Sequence, residues 1–141
     1  MTYLPAMDLK KDWETIAEIA CEYTNYTLAD DEIAAGSRKN ELVAVIRSTI
    51  KKHGNVPFLL ETLADYTDSL KEALELYERA AVLNVEASNF NDALSCANRA
   101  LDRALDDEWH SPIALWRSRV EAYALKADDK DELAEAKRLL S

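Results

Sequence analysis

Apolar residues recur at three- and four-residue steps along nearly the whole chain, which is the signature of helices with one buried face. From Asp8 to about Tyr26 the stripe is Leu9, Trp13, Ile16, Ala20 and Tyr23, with Lys10, Lys11, Glu14, Glu18 and Glu22 on the other side. A short stretch from Ala29 to Ala35 opens on Asp30-Asp31-Glu32, acids suited to a helix N-terminus. Gly36-Ser37 then leaves two readings open, a break or a bend. Leu42, Val43, Ile46 and Ile50 mark the next helix, to about His53. Lys51, Lys52 and His53 suit its C-terminus, and Gly54 is placed as a left-handed cap.

Pro57 opens a helix to about Tyr66 carrying Phe58, Leu59, Leu60 and Leu63, since proline is tolerated in a first turn. Ser69 and Glu72 have the spacing of a capping box. The helix they start, to about Ala87, has Leu70, Ala73, Leu74, Tyr77, Ala80 and Ala81 on one face. Ser88-Asn89 ends it and caps another, about Phe90 to Asp107, with Ala93, Leu94, Ala97, Leu101 and Ala104. Ser111-Pro112 begins a helix striped by Ile113, Trp116, Val120 and Tyr123. Asp129 and Glu132, at cap and third position, open a last one to Leu140. The pattern predicts an all-α chain of seven to eight helices and no strand. Connections of two to five residues fold neighbours back as an antiparallel helix-hairpin stack.

The spacing Tyr77-x2-Ala80-Ala81-x2-Asn84, followed by Ala93-x3-Ala97-x2-Ala100, resembles the tetratricopeptide repeat, including the twelve-residue step from Ala81 to Ala93. Small residues at Ala81, Ala93 and Ala100 let two helices approach closely. Tyr77 stands where tryptophan is usual, Ala81 where glycine is, Asn84 where tyrosine is, and Ala97 where phenylalanine is. An earlier framing through Leu60, Leu63, Ala64 and Thr67, then Ala73, Tyr77 and Ala80, has a step of nine and competes for the same helix. A weaker copy runs through Val120, Ala124, Leu133 and Leu140. The length predicts one domain over residues 1–141; the resemblance spans residues 57–140, strongest over 69–107, and implies 55–141 as tetratricopeptide-like (α-α superhelix) hairpins with 1–54 as N-terminal capping helices.

At 141 residues and 15.9 kDa, such a fold needs no disulfide or metal. Cys21 and Cys96 read as reduced thiols acting as small hydrophobes, which places the chain in the cytoplasm. Seventeen Lys+Arg against 27 Asp+Glu give a net charge of −10, which disfavours nucleic acid and anionic membrane as partners. The deficit is even: 12 acids and 7 bases in residues 1–70, 15 and 10 in residues 71–141. No apolar run approaches a membrane span, and the N-terminus lacks a signal-peptide core.

Candidate chemistry is sparse. His53 reads as a helix-end residue. Asp107 and His110 are half of a two-metal helix signature, but no second Glu-x-x-His accompanies them. No metal, cofactor or catalytic residue is expected. The acids do gather at helix ends or turns: Asp30-Asp31-Glu32, Asp65 with Asp68, Asp106-Asp107-Glu108, and Asp128-Asp129-Asp131-Glu132. They read either as caps and solubility or as a negative surface that steers a basic partner. With Asn84 from the repeat-like spacing, and with Trp109 as a core lid or an anchor, the candidate partner-binding set is Asp65, Asp68, Asn84, Asp106, Asp107, Glu108, Trp109, Asp128 and Asp129.

The expectation is a non-catalytic protein-binding module. In size, charge and helical content the chain is similar to bacterial immunity proteins and antitoxins, which neutralise a basic toxin by occupying its cleft. A secretion chaperone or assembly adaptor has the same features. Two further readings stand: a metal-dependent enzyme built from helix carboxylates, and a homo-oligomer that buries Leu133, Leu139 and Leu140.

Overall fold

A computed structural model describes the backbone of residues 5–108 and 110–141, and the side chains of residues 8–108 and 111–141. Among these the chain is all-helical, with seven helices, no strand and 85% of residues in helix. They are α1 (Pro5–Leu28), α2 (Glu32–His53), α3 (Pro57–Tyr66), α4 (Leu70–Glu86), α5 (Phe90–Asp106), α6 (His110–Ala124) and α7 (Lys130–Leu140). The chain divides into two compact units, Met1–Tyr66 and Thr67–Ser141.

In the first unit α1 and α2 pack as a hairpin and α3 packs on α2. Ile16 and Ile19 from α1, and Leu42 and Ile46 from α2, are buried, and so are Leu59 and Leu60 of α3. Phe58 lies outside that core, with its ring edge-on to Trp13 at 5.0 Å. Gly36 does not break the helix, because α2 continues through it. A single interior glycine costs a helix only about 1 kcal/mol, which the burial of Leu42 and Ile46 outweighs. Asp31 caps α2 by accepting a bond from Ala34 N–H at 3.1 Å. Gly54 closes it with its N–H on Ile50 O at 2.7 Å. Its φ of +88° and ψ of −168° suit only glycine, although this is not a left-handed helical cap.

In the second unit α5 is the central helix. It packs against α4, α6 and α7. Its seam is built from small residues: Ala93, Ala97, Ala100 and Ala104, facing a unit that also buries Ala73, Ala80 and Ala81 of α4. Leu94 and Leu101 fill the space between. Ser69 caps α4 by accepting from Glu72 N–H at 3.2 Å, as the capping-box spacing predicts. Asp129 caps α7 by accepting from the N–H groups of Asp131 and Glu132 at 3.0 and 3.1 Å. Asn89 precedes α5 but makes no side-chain cap bond.

The chain has only two glycines, and its helix–helix turns show the consequence. Asp30, Ser88 and Glu108 all take positive φ, at 58°, 61° and 53°. After α1 and after α4 the same pair of bonds closes the helix: Asp31 N–H to Tyr26 O with Asp30 N–H to Thr27 O, and Asn89 N–H to Asn84 O with Ser88 N–H to Val85 O. Both are Schellman ends in which an L-residue stands where glycine is easiest. The two thiols also part company. Cys96 is buried in α5, as a small hydrophobe should be, whereas Cys21 is exposed on α1.

Candidate protein-interaction site

Within the second unit, the acids singled out from the chain pattern, Asp68 apart, gather at two separate turns. Asp106, Asp107 and Glu108 are exposed at the α5–α6 turn, and Asp128 and Asp129 at the α6–α7 turn. These turns lie at opposite ends of the 15-residue α6, roughly 22 Å apart at 1.5 Å per residue. Asp128 and Asp129 are also occupied within the fold. Asn91 donates to Asp128 Oδ1 at 2.8 Å, and its own oxygen accepts from both backbone N–H groups at 2.8 and 3.0 Å, tying the start of α5 to the start of α7. Asp65 is exposed near the end of α3, in the first unit, and Asp68 is exposed just before α4, in the second. Trp109 lies outside the described residues. Asn84 is only 3% exposed, and its amide donates to Cys96 Sγ at 3.8 Å, so it holds α4 to α5 and does not face a partner.

The feature best shaped to bind lies elsewhere in the second unit. Since α4 and α6 each pack on α5, a groove remains between them. Its volume is about 400 Å³, toward the small end of ligand-sized clefts, and it is open along its length. Lys71, Leu74, Glu75 and Glu78 line it from α4, at the three- and four-residue steps of one helix face. Ser111, Pro112, Leu115 and Trp116 line it from α6. Trp116, 2% exposed, and Leu74 form the floor, and Leu115, 48% exposed, stands as an apolar wall.

Beside the groove an ion pair spans the two helices. Arg119 of α6 binds Glu78 of α4 and lays its guanidinium over the Trp116 ring, 4.6 Å from the centroid. The indole is thereby held from above, and the groove floor is fixed. Nearby, burial pushes the Tyr123 phenol above its usual range, while the charge of Arg119 pulls the other way. The groove interior therefore offers hydrocarbon, with Lys71 and Glu75 at the rim. Such a site binds by burying apolar surface, worth about 1.5–3 kcal/mol for a leucine-sized anchor.

A second cleft, between α5 and α7, is polar. Asn98 donates to Glu132 O and Oε1, both at 3.0 Å. Arg138 binds Glu135 and reaches Asp102 at 3.4 Å, and the bond from Arg138 holds the Glu135 carboxyl below the ordinary carboxylate range. These contacts lock α7 onto α5. Among the described residues no three of His, Cys, Asp and Glu are grouped to hold a metal ion, and no helix is long and apolar enough to cross a membrane. Leu139, expected as part of an exposed face, is buried within the chain, and Leu133 and Leu140 are half-buried.

Pattern reasoning missed Leu115 and Glu75. The one signal for Leu115 was a leucine placed off the stripe Ile113–Trp116–Val120–Tyr123, and nothing marked Glu75 apart from other solvated acids. Comparison with protein-family models, with curated proteins and with solved structures found no match for this chain.

Proposed function

We propose that this chain is a non-catalytic protein-binding module whose α4–α6 groove takes one or two aliphatic or aromatic side chains from a protein partner with a basic surface. The observation that carries the reading is the groove itself, an open apolar channel with Leu115 raised along its wall. The net charge of −10 supports a basic partner, because opposite charge raises the rate of encounter while apolar burial slows release. The order of helix pairing in the second unit, with Ala81, Ala93 and Ala100 buried at its seam, supports the tetratricopeptide-like reading. A toxin-neutralising role of the immunity-protein kind is the form of this function that the charge favours, since its ligand is a basic protein.

The test puts a photo-crosslinking amino acid at Leu115 in the full chain, expressed in its native cells, with Leu125 as an exposed control. The expected result is a covalent adduct with a basic protein at Leu115 only, lost when Glu75→Lys is added. Equal adducts at both positions, or none at Leu115, overturn the proposal.

A further inference from the structure

The far end of the α1–α2 hairpin carries exposed apolar side chains, Leu28 and Ile33 foremost among the described residues. Fifteen consecutive residues, 20–34, contain no buried position, although they include Tyr23, Tyr26, Leu28 and Ile33. Leu28, the last residue of α1, is 79% exposed, and Ile33, the second of α2, is 89% exposed. Isolated exposed leucines are ordinary. Two largely bared aliphatic residues flanking a three-residue connection, 29–31, are less so.

The charge around them is one-sided. Near them, residues 22–37 hold four acids, Glu22, Asp30, Asp31 and Glu32, and no Lys, Arg or His. Asp30, Asp31 and Glu32 stand between Leu28 and Ile33 and line a cleft of about 300 Å³ with Tyr23 and Gly36. The first bases after the run are Arg38, which is paired with Glu41 at 2.7 Å and reaches back to Glu22 at 3.9 Å, and Lys39, which lines the far part of the same cleft. Against three acids this leaves the cleft net negative. A second copy of the same tip is repelled by this charge, and so is an anionic membrane.

Gly36 adds an independent observation. It is exposed in the interior of α2, and a Cβ built there meets nothing within 4 Å. Among the described residues no contact requires a glycine at this position, and an alanine makes a better helix. A glycine there bares the α2 backbone beside Ile33 and admits close approach by another backbone.

We propose that the α1–α2 tip is a second docking surface, separate from the α4–α6 groove, for a basic amphipathic helix of a protein partner. Its aliphatic side chains cover Leu28 and Ile33, its lysines or arginines meet Asp30 and Glu32, and its backbone closes over Gly36.

The probe is a synthetic leucine–lysine peptide with apolar residues at helical spacing, titrated into the full-length ¹⁵N-labelled chain. A matched peptide with glutamate for lysine is the control. Amide shifts centred on residues 26–36 are expected with the lysine peptide only, and affinity falls with salt. Leu28→Ser with Ile33→Ser weakens binding by about tenfold or more, the loss of two half-covered aliphatic contacts. Gly36→Gln also weakens it while the thermal midpoint holds or rises, a combination that misfolding does not produce. Leu115→Ser leaves this binding unchanged, which separates it from the groove. Shifts centred elsewhere, an unchanged affinity in the double variant, equal binding of the glutamate peptide, or a dimer through the tip by light scattering overturns the proposal.

Discussion

The α1–α2 and α4–α5 hairpins are built from the same kind of chain and end in the same kind of turn, yet one has a buried seam throughout and the other has not. In α5, eight of 17 residues are buried, spaced from Ala93 to Ala104. In α1, burial stops at Ile19, and nine further residues continue to Leu28. The difference lies in side-chain size and position. Alanines on α4 and α5 permit close approach along the whole length, so leucines can interdigitate between them. Beyond Ile19 the half-buried Tyr23 makes an edge-on contact with Tyr66 at 5.9 Å, and Tyr26 is exposed. A helical hairpin needs tertiary burial for stability only along part of its length; the remainder is carried by propensity and caps.

The largest effect that probes this contrast is a pair of truncations. Leu101→Ala, at a fully buried site, should cost about 2–5 kcal/mol, whereas Ile33→Ser should change stability by less than about 0.5 kcal/mol, both read from urea midpoints. Amides of residues 21–28 should exchange far faster than those of residues 93–104 in the same sample. Equal sensitivity in the two hairpins breaks the comparison.

Backbone substitutions sharpen it further. Gly54→Ala should destabilise by about 1–3 kcal/mol, because its φ of +88° strains any L side chain. Gly36→Ala should do the opposite, stabilising by about 0.5–1 kcal/mol, since the position is helical and open. Ser88→Gly should stabilise by about 1 kcal/mol by relieving the left-handed strain after α4. Thermal melts of the three variants give the signs directly.

The smallest effect concerns the base of the first hairpin. His53 Nε2 lies 2.8 Å from Asp12 Oδ2, and Lys52 Nζ lies 3.2 Å from the same oxygen. The hydrogen bond from His53, followed by that from Lys52, holds the Asp12 carboxyl below its ordinary range. A carboxyl lowered on folding contributes stability that is present above its unfolded pKa, near 4, and lost as pH falls through the lower folded value. Asp12→Asn should therefore cost about 0.5 kcal/mol at neutral pH, and the difference from wild type should shrink steadily below about pH 4. A difference that grows in acid contradicts the assignment.

Most of the architecture was legible in the order of residues, because capping residues and apolar steps are local. The bounds of α3, α4 and α7 follow from Pro57, Ser69 and Asp129. Gly36 was ambiguous because a local penalty of about 1 kcal/mol is decided by packing at Leu42 and Ile46, about two and three turns further on. The groove was not legible. Leu115 becomes a wall and Glu75 a rim only through the way α4 and α6 both lean on α5, a three-helix relation that no single stripe encodes. The acids were visible as acids, but Asp31 and Asp129 are spent on backbone N–H groups, and Asn84, the repeat-like position, is enclosed.

The unequal placement of the two thiols turns the molecule into its own clock. An alkylating reagent modifies Cys21 in the native state, while Cys96 reacts only when α4 separates from α5. The slow second modification, followed by mass, times the opening of the alanine seam without any engineered label. A ligand that seats itself between α4 and α6 should lengthen that interval.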